Sequence, residues 1–419
     1  VARGEGSPSV PRPLRALAFR NYRLFWASGA VSSIGTHMQI AALAWVVAVS
    51  TRSAYRVGLI AFAGIVPLLF LSPIGGAMAD RFARRRLLLV TNALLLGAAV
   101  ALWATWVAGA GTYWVLFAIA ALTGVLTALQ TPSWQSLIVE LVPREHLQNA
   151  ITLNSTQFNL ARALGPMAAG VVLARGGAGW CFALNAASFV AVIACLAAMH
   201  DPPATNRDDT GLWRGLREAL ATLRADPGLR TAIGTHAAFS LLAVPVVQLI
   251  PNFALEVLGV GPEAYGLLLG ALGIGAVGAG LGGGLVDGVV LPSRILAGGL
   301  GLGVASLVLL GTARTLPAGV VAMVVFGAAY VTVVAIDHST IQRFAGDRLR
   351  GRITSLWLMC FGAFMPAGTL IQGAATDRLG ARVVLLGDAT LLLVVLTGAA
   401  VWQVFAHIDR EETVAVAPN

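Results

Sequence analysis

The sequence predicts an all-α membrane protein: twelve transmembrane helices in two six-helix, pseudo-symmetric bundles. Three observations carry that expectation. Hydrophobic residues fill 57% of the 419 positions and charged residues only 11%, far from the roughly 25% charge of soluble domains. Apolar runs of spanning length recur along the whole chain. The basic residues crowd into loops that fall on one side, as expected when Lys/Arg-rich short loops are retained in the cytoplasm.

A hydrocarbon core about 30 Å thick needs roughly 20 apolar residues at 1.5 Å rise. Such windows fall at about residues 24–50, 57–79, 87–108, 113–137, 150–174, 178–199, 230–255, 264–286, 294–312, 317–341, 353–375 and 383–407. The division follows directly: an N-terminal tail (1–23), a first bundle (24–199), a linker (200–229), a second bundle (230–407) and a C-terminal tail (408–419). The first tail carries Arg12, Arg15, Arg20 and Arg23 and has no short apolar run ending in a cleavage site, so it is expected to be a cytoplasmic lead-in. In the linker, Leu212, Leu216, Leu220 and Leu223 recur at helical spacing beside Arg214, Arg217 and Arg224, which predicts an amphipathic helix on the inner surface. With both termini inside, only Arg52, Arg56, Arg175, Arg314, Arg378 and Arg382 lie on the far side, and Arg162 lies within a span.

Charge chemistry narrows the function. The +9 net charge is explained by topology rather than by nucleic acid. All 28 basic residues are arginine, because the chain contains no lysine. A Walker A loop and a pyridoxal Schiff base both need one, so the expected energy source is an ion gradient, with no cofactor. Cys181, Cys195 and Cys360 lack metal-ligand or disulfide spacing, and no metal site is expected. HExxH and GxSxG are absent, which argues against an enzyme.

The two halves echo each other. Gly75, Gly76 and Asp80 match Gly282, Gly283 and Asp287 at a constant offset, and Leu147, Ile151 and Thr152 match Leu349, Ile353 and Thr354. A parallel repeat of six spans favours a substrate site near mid-membrane at the repeat interface, the arrangement of a secondary transporter. Such a chain holds both halves of its pathway, so a monomer is expected.

On these residues the chain resembles the major facilitator superfamily. Gly76-Ala77-Met78-Ala79-Asp80-Arg81-Phe82-Ala83-Arg84-Arg85 looks like its motif A, with Ala83 where a glycine is common. Leu164-Gly165-Pro166 through Gly170 resembles part of the antiporter motif of drug/proton exporters, without its preceding glycine pattern. Val142–Ala150 and Asp347–Arg352 resemble the branch of enterobactin-type siderophore exporters and macrolide efflux proteins. The resemblance implies multi-pass export across a bacterial inner membrane, by antiport, of a siderophore or a drug-like amphipathic molecule. It also implies that Asp80, Arg81 and Arg84 latch one conformation: Asp80 on the N–H groups of a neighbouring helix start, the arginines on acids across the half-interface. Topology alone is the simpler role for the arginines.

Ionisable groups inside spans are costly, and therefore candidates for function. Arg162 lies roughly 20 Å into the fifth span on a stripe with Ser155, Asn159 and Pro166, suited to an anionic substrate group or to backbone carbonyls at the Pro166 kink. Asp337 and His338 lie in the tenth span, Asp337 about 9 Å before Arg343. Phe326, Tyr330 and Val333 share its face, so an aromatic wall is expected to lead to the carboxylate. Asp337 is thus the expected carrier of the exchanged proton, and a hydrogen-bonded structural acid is the alternative. His37 and His236 are further proton candidates. Gln130, Trp134 and Gln248 could line a cavity for the substrate. Other expected partners are protons and membrane lipids. A lipid or lysophospholipid flippase, and a receptor or scaffold without flux, stay open as alternatives. Gly273-Ile274-Gly275-Ala276-Val277-Gly278 fits a dinucleotide pattern but lies inside an apolar span, where glycines serve close helix contact instead.

Overall fold

The structure, a computed structural model, describes residues 12–199, 212–286 and 289–409, and among these it contains helices and no strand. The start of the N-terminal tail, residues 200–211 of the linker, Asp287 in the second repeat copy and residues 410–419 lie outside the described residues, as do the side chains of Leu212, Arg214, Leu216, Arg217, Asp347, Arg348 and Arg350. In chain order the helices are α1 (Arg20–Thr51), α2 (Ala54–Arg81), α3 (Arg84–Val107), α4 (Tyr113–Glu140), α5 (Leu147–Gly176), α6 (Ala178–Ala198), α7 (Leu212–Ala225), α8 (Pro227–Leu242), α9 (Val246–Asn252), α10 (Pro262–Val286), α11 (Pro292–Thr312), α12 (Leu316–Phe344), α13 (Gly346–Leu379) and α14 (Ala381–Val401).

Eleven stretches among the described residues are long and apolar enough to cross a membrane, α8 and α9 counting together. α5 has the length, 30 residues, but its Gln148, Asn149, Thr152, Asn154, Ser155, Thr156, Gln157, Asn159 and Arg162 leave it short of the apolarity. Large apolar side chains such as Phe70, Trp114, Trp180, Leu281 and Val401 are exposed, as suits a surface solvated by lipid tails. Backbone polar groups, by contrast, must be met internally.

Two expected spans differ in detail. The window at 230–255 is not one straight helix: Pro245 separates α8 from α9, Pro251 lies inside α9, and Phe253–Val257 is a π turn. Proline at 245 offers no N–H to the Leu241 carbonyl. Gln372 of α13 supplies the missing donor, its Nε2 lying 3.0 Å from both Leu241 O and Leu242 O. The window at 383–407 ends early, because α14 stops at Val401, Gln403 takes a left-handed conformation, and a short 3₁₀ turn, Val404–Ile408, follows.

The chain divides into two compact units: Val1–Leu43 with Phe70–Arg207, and Ala44–Leu69 with Asp208–Asn419. In the first, α3 packs on α4 and α6 around a core that includes Phe25, Leu88, Leu137, Ala150 and Leu196. Arg84 forms a buried ion pair with Glu140, an acid of its own unit. Removing either partner alone leaves a buried charge uncompensated and is expected to cost about 3–5 kcal/mol. Thermal melting in detergent of Arg84→Ala, Glu140→Ala and the double Arg84→Met/Glu140→Leu variant checks this, the double variant recovering most of the loss. Arg85 donates to Leu196 O at 2.6 Å and to Ala197 O at 2.8 Å, closing the end of α6.

In the second unit, α12 packs along α10 and α11, and α13 packs on α8. Gly275 of α10 and Gly327 of α12 face each other's neighbouring backbone: a methyl group on Gly275 would collide with Val324 O, and one on Gly327 with Leu272 O. The dinucleotide-like run is therefore a helix-crossing point. α7 is tied to α13 by Glu218 and Arg352 at 2.9 Å.

Candidate functional site

The second unit holds a buried polar cluster built by α8, α12 and α13. Asp337 on α12 is fully buried and His236 on α8 nearly so. Thr235 Oγ1 lies 3.0 Å from Asp337 Oδ1 and shares its one proton with the Thr231 carbonyl at 2.8 Å. His236 Nδ1 lies 3.4 Å from Asp337 Oδ2, within ion-pair reach yet too poorly aligned for a hydrogen bond. Among the described residues neither ring nitrogen of His236, nor Asp337 Oδ2, Thr340 Oγ1 or Trp357 Nε1, makes a hydrogen bond. Trp357 of α13 packs against both imidazoles, 4.6 Å from His236 and 5.3 Å from His338. His338 in turn lies 3.4 Å from Gln342.

Two of the four expected proton-handling residues, His236 and His338, therefore meet at one indole, and Asp337 adjoins His236. Two further members, Thr235 and Trp357, escape the sequence reading: Thr235 is an ordinary helix threonine by pattern, and a tryptophan in an apolar span is indistinguishable from packing. The aromatic wall is corrected. Phe326 does share a face with Asp337, but that face is core: Phe326 is 2% exposed and stacks on Phe239 at 6.2 Å. Tyr330 is half-buried. Gln248 lies half-buried in α9 between the two prolines.

The first unit holds the others. His37 on α1 bonds Ser33 O at 2.8 Å through Nδ1 and meets Phe158 of α5 edge-on at 5.5 Å. Gly165 makes this contact possible, since a Cβ there would lie 2.6 Å from His37 Cβ and 3.0 Å from Ile34 O. Gly165 is thus a point of close approach between α1 and α5, and Gly170 is buried further along the helix. Arg162 is half-buried on the same helix, one turn before Gly165, while Asn159 is exposed and donates to Ser155 O at 2.9 Å. Trp134 packs against Phe25 with ring centroids 4.2 Å apart and the rings tilted, and it backs Gly29. Gln130 is half-buried, and its Oε1 has no hydrogen-bond partner among the described residues. An unforeseen polar seam joins α1 to α6, where Asn185 Nδ2 donates to Gln39 Oε1 at 2.8 Å.

Of the motif-A residues, Gly76 faces open space and Arg81 is exposed. Asp80 is exposed and makes no hydrogen bond among the described residues. One acid inside a span was overlooked altogether. Asp388 on α14 is 8% exposed and its Oδ2 has no hydrogen-bond partner among the described residues; an ionisable residue in an apolar run is itself the signal that could have found it.

A helical protein with eleven stretches long and apolar enough to cross a membrane among its described residues, a loop resembling motif A and buried ionisable groups within those stretches is a multi-pass membrane transport protein. The chain belongs to the major facilitator superfamily, in the family described as transmembrane secretion effector, whose sequence model matches residues 10–417. It is 28% identical over 382 residues to the multidrug efflux pump Tap of Mycobacterium tuberculosis, covering 88% of this chain and 89% of Tap. It is 26% identical over 257 residues to the staphyloferrin A transporter of Staphylococcus aureus, a match that spans 61% of this chain and 64% of that protein. Macrolide efflux protein A of Streptococcus pyogenes is 21% identical over 400 residues, with 90% and 95% covered. Among solved structures, an inward-facing bacterial homolog of the human lysosomal transporter Spinster shares the fold at a TM-score of 0.73 and 14% identity, covering 97% of this chain and 100% of that one. The nucleoside transporter NupG does so at 0.70 and 14%, covering 93% and 100%.

Proposed function

We propose that this protein is a secondary exporter of an amphipathic organic small molecule, a siderophore or a drug-like compound, driven by proton antiport through alternating access. The observation that carries the reading is the cluster of buried Asp337, His236 and Trp357 with half-buried His338. Asp337 Oδ2, both imidazole nitrogens of His236 and the Trp357 indole N–H lack hydrogen bonds among the described residues, an arrangement that suits a proton taken up and given back rather than a static bolt. The relatives' names, siderophore transporter, multidrug pump and macrolide efflux protein, support the substrate class. In this reading α5 is a twelfth span. Its polar stripe with Arg162 meets substrate, the spans form two six-helix bundles in a bacterial inner membrane, and both termini are cytoplasmic. The protein works as a monomer.

Everted membrane vesicles from cells lacking other exporters test it. With an acid-inside gradient, uptake of one class in a panel of siderophores, macrolides and lysophospholipids is expected to be saturable and to vanish on adding a protonophore. Uptake confined to lysophospholipids would replace the exporter reading with a lipid flippase. No uptake of any class, with the protein folded in the vesicles, favours a receptor or scaffold.

A further inference from the structure

Helices α1 and α2 are divided between the two compact units, and their hairpin, Ala44–Leu69, clusters with the second. There the end of α13 meets the start of α2. Asp377, in the last turn of α13, accepts hydrogen bonds from Ser53 Oγ at 2.6 Å, Ala54 N at 2.6 Å and Tyr55 N at 3.3 Å. Ser53 Oγ also accepts from Arg56 N at 3.2 Å. The carboxylate thus meets the unpaired N–H groups at the start of α2, where the helix dipole favours an anion.

Below it the two helices touch through small residues. A Cβ on Gly373 would lie 2.9 Å from Ala54 O, and one on Gly58 3.0 Å from Thr369 O. Trp45 stacks on the buried Tyr265 of α10 at 5.2 Å. The hairpin turn holds Arg52 at φ 47°, a left-handed conformation that non-glycine residues seldom adopt and that concentrates at switch regions.

The sequence supplies an independent observation. Gly373-Ala374-Ala375-Thr376-Asp377-Arg378 repeats the pattern Gly76-Ala77-Met78-Ala79-Asp80-Arg81 that closes α2. The structure finds the Asp377 copy engaged on a helix start while Asp80 makes no hydrogen bond among the described residues.

We propose that Asp377 is a conformational latch, its carboxylate holding the start of α2 on the end of α13 in one conformation of the transport cycle and releasing it in the other. The proposal rests on the alternating-access reading above.

Labelling of the full chain in liposomes tests it. Cys195 and Cys360 are replaced by Ala, the buried Cys181 is kept, and Thr369→Cys places a thiol in the seam, where Thr369 is fully buried. Loss of hydrogen bonds to a charged acceptor predicts that Asp377→Ala raises the rate of reaction with a membrane-impermeant maleimide roughly 10- to 100-fold. Ser53→Ala, which keeps both backbone donors, raises it less. An unchanged rate in Asp377→Ala overturns the latch. Cys181 lies in the other unit and reports folding: if Asp377→Ala exposes it, Asp377→Asn decides by the same criterion. The labelling needs neither substrate nor proton gradient. A raised rate beside absent transport would therefore leave the latch standing while the exporter reading falls.

Discussion

Asp337→Asn is expected to abolish uphill, gradient-driven accumulation of substrate while leaving exchange of substrate across the membrane near the wild-type rate. Asparagine keeps the size of the side chain and an oxygen to accept from Thr235, which stands 3.0 Å from the carboxylate, but it has no proton to exchange. A coupling residue and a structural one separate on this comparison. A carboxylate that only bolts α12 to α8 would, on becoming an amide, slow accumulation and exchange together, since both need the same helices in place. Paired counterflow and gradient-driven uptake assays on one reconstituted preparation provide the check.

The largest effect on stability is expected at the crossing of α10 and α12. Gly275→Ala puts a methyl group onto the Val324 carbonyl and Gly327→Ala puts one onto the Leu272 carbonyl. Both obstacles are backbone, so no side-chain rotation relieves them. Overpacking a tight core costs about 1–3 kcal/mol even where side chains can give, and here the two helices must separate. Each substitution is expected to cost at least about 3 kcal/mol and to lower the melting temperature in detergent. Gly278→Ala and Gly280→Ala are the controls: they lie on the same helix with nothing within 4 Å of the added Cβ, and should melt like wild type. Equal melting of all four variants would show that α10 and α12 do not cross at these glycines.

How much of this was legible in the sequence depends on which physical term decides each feature. Helix positions follow from apolar length, so most expected windows fall within a few residues of α1–α6 and α10–α13. A run such as Leu241–Pro251 stays apolar through its prolines, and hydropathy therefore hides the break that Pro245 and Pro251 impose. The Gln372 amide that answers the freed carbonyl lies on another helix, so no local pattern announces it. Periodicity placed Phe326 and Asp337 on one face correctly. It could not say that this face meets Phe239 and the core rather than a cavity, because spacing tells which residues look the same way and not what they look at.

The candidate site divides the same way. Asp337, His236 and His338 stand out because charge in a span is costly, while the meeting of both imidazoles at Trp357 and of Asp337 with His236 is tertiary. Asp377 went unweighed because it ends a span and reads as loop charge, although its neighbours repeat the pattern at Asp80. Motif A drew attention to one end of α2, and the described contacts lie at the other.

If Asp337 carries the exchanged proton, substrate-linked proton release reports it without the intervening steps of a transport assay. Purified protein in weakly buffered detergent solution, with a pH-indicator dye, is titrated with the substrate class identified in vesicles. Wild type is expected to release protons as the substrate binds, and Asp337→Asn, though it still binds, to release none. Equal release from the two proteins would contradict it and move the proton to another group, with His37 and Asp388 the next to substitute.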